Sequence, residues 1–255
     1  MNEKKTWDRR GDDAPVDVLA VGAHPDDVEI GCGGIVHTLA RQGYRVGIID
    51  LTDGEPTPRS PDPETRLEEA AAAAETLGAV LRVTLALPNR RLCDDFDSRR
   101  ALATELRRYR PKLVLCLGSD TPFASPDHEI AKRITEAAIF HSRLSKWDAH
   151  FEDLPVHAIP HYVFYFLSLR QLAPPSGNLL VVDISDSLDA KLAAVACYHT
   201  QFAHRPEILD RIRAVNIQQG GTCGYAAGEV VAHPATWGTQ DLMASVLGYA
   251  ARPLP

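Results

Sequence analysis

Short apolar runs alternate with segments of helical spacing through the first half of the chain, and that alternation leaves few folds open. Val16-Asp17-Val18-Leu19-Ala20-Val21-Gly22 is the first run, Arg45 to Leu51 the second, Val80 to Leu87 the third and Lys112 to Leu117 the fourth. Between them, Ile30 to Gln42, Glu64 to Leu77 and Ser98 to Arg108 carry apolar residues at helical intervals, and Gly43 and Gly78 close the first two. Strands alternating with helices give a parallel sheet covered on both faces. The fold expected is α/β and Rossmann-like, with a mostly parallel sheet and a C-terminal elaboration of strands and helices. In a sheet ordered 3-2-1-4 the direction of winding reverses between the first and fourth runs, and ligands bind beyond the carboxyl ends of the strands there. Chemistry is therefore expected in the loops after Gly22 and after Leu117.

The rest of the chain is less regular. Thr52 to Pro63 is a proline-rich loop. His161 to Leu169 and Leu179 to Ile184 predict two further strands, joined by a turn at Pro174-Pro175-Ser176-Gly177. Ser185 to Phe202 predicts a helix capped by its Ser-Asp-Ser opening, and Pro206 to Asn216 another, broken at Gly220-Gly221. Residues 1–15 read as a disordered polar tail, which leaves 16–255 as a single domain.

Composition excludes several partners. A net charge of −7 offers no basic face for nucleic acid. No apolar run approaches the ~20 residues of a membrane span. Met1 to Arg10 is charged and lacks the apolar stretch of a secretory signal. The five cysteines (Cys32, Cys93, Cys116, Cys197, Cys223) are odd in number and show no CxxC spacing. A reducing, cytoplasmic setting is expected, with Cys116 in the core.

Both loops at the predicted sheet edge carry histidine and carboxylate: Gly22-Ala23-His24-Pro25-Asp26-Asp27-Val28-Glu29 and Ser125-Pro126-Asp127-His128-Glu129. Imidazole with carboxylate suits zinc or another divalent metal, and a catalytic zinc keeps three protein ligands and one open position. His24, Asp27 and His128 would make such a set. Asp26 is then spare, and can act as base toward a water whose pKa zinc lowers to about 7 from about 15.7. A dinucleotide-binding turn fits poorly, because GxGxxG needs glycine at His24 and Asp27 and two carboxylates would repel a pyrophosphate. Helix capping would explain an aspartate, but not a histidine in the second loop. Asp94, Asp95 and Asp97, an acidic cluster just ahead of a helix, are explained by the helix macrodipole and capping.

Residues 23–34 match the pattern A-H-P-D-D-x-E-x-x-x-G-G throughout, and the chain thereby resembles the LmbE-like, PIG-L-type zinc-dependent N-deacetylases. The resemblance runs from about Val16 to Gly228. It takes in Gln42-Gly43-Tyr44-Arg45-Val46, Asp50-Leu51-Thr52, Arg66-Leu67-Glu68-Glu69-Ala70, Val182-Asp183-Ile184-Ser185 and Tyr198-His199-Thr200-Gln201-Phe202. In these details it is closest to the bacillithiol-biosynthesis deacetylase branch, which acts on an N-acetylglucosamine–malate conjugate. The resemblance implies a metal on His24, Asp27 and His128, with Asp26 as general base and Arg66 beside the substrate. It also implies a small amino-sugar substrate and a homo-oligomer.

The chain departs from that family at its second motif, usually H-P-D-H, whose first histidine stabilises the oxyanion or protonates the leaving amine. Ser125 stands there, and Thr121-Pro122-Phe123-Ala124 replaces the usual charged residues before it. The late tyrosine-alanine-glutamate motif is altered to Tyr225-Ala226-Ala227-Gly228-Glu229. Losing a general acid typically costs about 10²–10⁴-fold in rate. Two readings follow: a metal-dependent hydrolase that removes acetyl from an N-acetylglucosamine-type conjugate, or a metal-binding, catalytically impaired relative with a binding or regulatory role. Read without the resemblance, Arg66 beside Glu68 and Glu69 is a surface ion pair; read with it, a grip on a substrate carboxylate. Asp127 reads as a helix cap rather than a group orienting a neighbour. One of His199, His204 and His233 could replace the missing acid.

Overall fold

In the computed structural model, residues 4–8, 14–118, 124–169, 178–236 and 238 are described. The first half winds β2 (Val18–Gly22), α1 (Asp27–Arg41), β3 (Val46–Asp50), α2 (Pro63–Thr76), β4 (Leu81–Thr84), α3 (Phe96–Tyr109) and β5 (Leu113–Leu117), preceded by β1 (Lys5–Asp8). The second half continues with α4 (Asp127–Ser142), β6 (His161–Tyr165), β7 (Asn178–Asp183), α5 (Leu188–Ala196), α6 (His199–Phe202), α7 (Glu207–Gly221) and β8 (Gly228–His233). One mixed sheet runs in the order β1-β4-β3-β2-β5-β6-β8-β7. Strands β4, β3, β2, β5 and β6 are parallel, and β2 lies between β3 and β5. This is the order expected for the first four runs. β2 and β3 are buried along their whole length, as a strand covered on both faces must be.

Helix α1 crosses the back of the site and needs close contacts to do so. A Cβ at Gly31 would meet the Tyr165 ring at 2.4 Å, so only glycine lets the helix lie against β6. The Tyr165 hydroxyl in turn donates to the carbonyl of Val21 at 2.9 Å, tying β6 to the end of β2. α1 kinks at Cys32 (φ −142°, ψ 22°). The amides freed beyond the kink, Gly34 and Ile35, donate to the Glu229 carboxylate at 3.0 and 2.7 Å. Lys191 Nζ meets the same carboxylate at 2.6 Å, and both side chains are fully buried.

Four expectations are corrected. Lys5–Asp8 is not tail but an edge strand, antiparallel to β4 with Trp7 opposite Arg82 and the indole packed on the core. The helix expected over Ser185 to Phe202 divides at Cys197-Tyr198, because Tyr198 leaves helical geometry (φ −81°, ψ 67°) and is drawn fully into the core. Its serines do not cap: Ser185 turns back to Asp183, and Ser187 bonds His37 and Thr38. Gly220-Gly221 does not break α7; a Cβ at Gly220 would lie 2.4 Å from the Ala227 backbone, so its glycine serves close packing on β8. The turn expected at Pro174 to Gly177 and the segment Thr121 to Phe123 lie outside the described residues. Among the described residues, no helix is long and apolar enough to cross a membrane.

Candidate active site

The loop after β2 makes one tight turn that delivers three side chains. Asp27 opens α1, and its Oδ2 accepts from the amides of Ala23 and His24, both at 3.0 Å. The carboxylate is thus turned back over its own loop rather than used as a helix cap. Asp26 precedes it at φ 114°, ψ −23°, with no capping bond. A non-glycine residue rarely holds positive φ. Here the conformation lets neighbouring aspartates face different ways.

The loop after β5 supplies the rest. His128, buried in the first turn of α4, brings Nε2 to 3.4 Å from Asp27 Oδ1, while His24 Nδ1 lies 3.5 Å from Asp27 Oδ2. One donor atom from each of His24, Asp27 and His128 falls within 4.8 Å of the others. Ligands bonded to zinc at about 2.0–2.1 Å in tetrahedral arrangement stand about 3.3 Å apart, so this His₂Asp set is compatible with such an ion. Electrostatics agree with a cation's place. Burial alone would push the Asp27 carboxyl up, but His128 and His24 outweigh it and hold it well below the usual range. Burial disfavours charge on His24, yet the Asp127 and Asp27 carboxylates raise it to about 10.

Asp127 orients a neighbour. Its Oδ2 lies 3.2 Å from His24 Nε2 and accepts the Arg90 amide at 2.7 Å, so one carboxylate joins the loops after β2, β4 and β5. Asp95, by contrast, caps α3 as expected, accepting from the Ser98 amide at 2.9 Å.

The cleft above these residues is lined by His24, Asp26, Asp27 and His128, by Thr57, Arg66, Asn89 and Arg90, by Gly54, Ala124 and Ser125, and by Ile30, Leu167, Leu169 and Phe202. Asp26 reaches it with a side chain that is 17% exposed. Burial pushes its carboxyl up to about 6, against the pull of Arg66. Arg66 is only 2% exposed, so the surface ion pair does not hold. It bonds Asp26 Oδ2 at 2.8 Å and the Pro25 carbonyl.

A model of the PIG-L family, GlcNAc-PI de-N-acetylase, matches residues 19–139. The chain is 30% identical to diacetylchitobiose deacetylase of Thermococcus kodakarensis, an alignment covering 72% of this chain and 70% of that one. It is 27% identical to 4-oxalmesaconate hydratase of Pseudomonas putida, over 82% and 86% of the two chains. Among solved structures, a conserved protein of Thermus thermophilus superposes with a TM-score of 0.77 at 31% identity, covering 88% of this chain and 97% of that one. The chain belongs to the PIG-L family.

In this PIG-L protein the serine at position 125 is already occupied. Its Oγ accepts the Asp127 amide at 3.2 Å, shaping the turn that carries His128. None of His199, His204 and His233 lines the cleft. His233 ends β8 on the side away from the carboxyl edge and bonds Ala235.

Behind the site lies a buried network that sequence reasoning missed. Arg82 clamps Asp50 through Nε at 2.6 Å and Nη2 at 2.8 Å, and reaches Glu29 Oε1 at 2.5 Å. The Tyr198 hydroxyl donates to that same Glu29 oxygen at 3.0 Å. One signal was available. An arginine inside the apolar run Leu81-Arg82-Val83 cannot stay unpaired once buried, and Asp50 ends the adjoining strand.

Proposed function

We propose that this protein is a metal-dependent N-deacetylase that releases acetate from a small N-acetylglucosamine-type conjugate. The observation that carries the reading is the convergence of His24, Asp27 and His128 at the carboxyl edge of the sheet, with Asp26 beside them and uncommitted to capping. His24, Asp27 and His128 would hold zinc or a similar divalent ion. Bound there, such an ion supplies Lewis acidity toward an amide carbonyl and a water.

The remaining work falls to the chain. Asp26, with a carboxyl held at about 6, is mostly ionised near neutral pH yet basic enough to accept a proton from the attacking water. With serine at position 125, Asp26 is also the group that returns a proton to the departing amine. Asp127 keeps His24 in one ring orientation by accepting a hydrogen bond from its Nε2–H. Ile30, Leu167 and Phe202 offer an apolar wall for a methyl group and a sugar face, and Thr57 and Asn89 offer partners for hydroxyls. An acidic aglycone, such as the malate of N-acetylglucosaminyl malate in bacillithiol biosynthesis, would meet Arg90 at the rim.

The test is acetate release from neutral and acidic N-acetylglucosaminides by zinc-loaded protein, with free amine measured in parallel. Equimolar acetate and amine are expected. The impaired-relative reading predicts metal binding without turnover. A hydratase activity like that named for the Pseudomonas relative would consume an alkene and release no acetate.

A further inference from the structure

Arg66 comes from α2, and the resemblance would have it hold part of the substrate. Its surroundings point elsewhere. Nη2 donates both to the Pro25 carbonyl and to Asp26 Oδ2, the latter at 2.8 Å. Nε and Nη1 are buried without a hydrogen-bond partner. The guanidinium carbon lies 4.9 Å from the centre of the Tyr198 ring, which fixes the plane of the group. Tyr198 is itself fully buried and tethered through its hydroxyl to Glu29, so the stacked ring has nowhere to swing. A continuous path of contacts therefore runs from the buried Arg82–Glu29 pair through Tyr198 and Arg66 to Asp26.

The Asp26 end of that path needs support. The backbone there holds φ 114°, and no capping bond stabilises it. Strained backbone persists only where its surroundings over-determine it. Arg66 bonds the carbonyl oxygen of the Pro25–Asp26 peptide and the Asp26 carboxylate, so it holds groups on both sides of the Asp26 N–Cα bond, the bond that φ describes. Oδ1 of Asp26 keeps no protein partner among the described residues and belongs to a side chain that lines the cleft.

We propose that Arg66 is a positioning residue for Asp26, holding the strained turn and the carboxylate's direction, rather than a grip on an anionic part of the substrate. The role rests on the reading of Asp26 as base.

The experiment compares wild type, Arg66→Ala and Arg66→Lys on a neutral and a carboxylate-bearing N-acetylglucosaminide, with metal content measured for each. Arg66→Ala is expected to lower kcat about 10- to 100-fold equally on both substrates, with KM within about threefold and an unchanged metal-to-protein ratio. Guanidinium ion added to Arg66→Ala should restore part of kcat, which it would not do for a general packing defect. Arg66→Lys, which keeps charge and bulk should Ala fail to fold, is expected to lose less kcat than Arg66→Ala and to leave both KM values near wild type. Combining Arg66→Ala with Asp26→Asn should cost no more than Asp26→Asn alone. In a crystal structure of Arg66→Ala or Arg66→Lys, Asp26 should shift from φ 114° while Asp27 keeps its place. A KM rise confined to the acidic substrate with kcat unchanged would overturn the proposal, as would strictly additive losses or an unmoved Asp26. Wild type that releases no acetate would instead refute the deacetylase reading, and the crystallographic comparison would still test what Arg66 holds.

Discussion

Asp127 Oδ2 stands 3.2 Å from His24 Nε2, across 103 residues of sequence, and leaves His24 Nδ1 facing Asp27. A ligand histidine held through its other nitrogen has one tautomer and one direction. Asp127→Asn should therefore weaken zinc binding about 10- to 100-fold, read by competition with a chromophoric chelator. An affinity within twofold of wild type would return Asp127 to a purely structural role.

Protons should compete with the metal. His24 is held at about 10 in the metal-free protein, above its ordinary 6.5, and His128 is also raised, by Asp27 acting against burial. Ligation needs neutral imidazole. Apparent zinc affinity should rise at least about tenfold per pH unit from 7 toward 10 and then flatten, with proton release visible in calorimetry across buffers of different ionisation enthalpy. The same shift makes the metal-free fold lose stability as pH climbs: the contribution of charged His24 is complete below 6.5 and gone above about 10. A metal-free Tm that increases from pH 7 to 10 would contradict the assignment.

Ser125→His should raise turnover of a simple N-acetylglucosaminide without changing zinc content. The gain should stay well below the ~10²–10⁴ of a well-placed general acid, because the substitution also removes the Oγ that accepts the Asp127 amide. A rapid wild type slowed by Ser125→His would show a site rebuilt around the serine.

The buried Lys191–Glu229 pair holds the kink of α1. Lys191→Met leaves a carboxylate uncompensated in the core and should cost about 3–5 kcal/mol in denaturant unfolding. Adding Glu229→Gln should recover part of that loss. A cost below about 1 kcal/mol for Lys191→Met would mean the charge is dispensable there.

The parallel half of the sheet was legible because each strand is a short apolar run and each helix repeats at its own period. The edge at which His24, Asp27 and His128 meet follows from strand order alone. Long-range contacts were not legible. Tyr198 breaks a helical pattern for a bond to Glu29, and Arg66 sits beside Glu68 and Glu69 in a stretch that reads as solvated. Lys5–Asp8 is too short and polar to show a period, and gains its strand from the β4 edge. Asp127 looked like a cap because the ring it orients lies on another loop.

Acetate release should require one metal ion held by His24, Asp27 and His128. The most direct measurement is turnover of an N-acetylglucosaminide by chelated protein as zinc is added in steps. Acetate release should start near zero, climb linearly to one equivalent of metal and level off, with His128→Ala staying flat throughout. Full turnover in the chelated protein, or in metal-free His128→Ala, would contradict it.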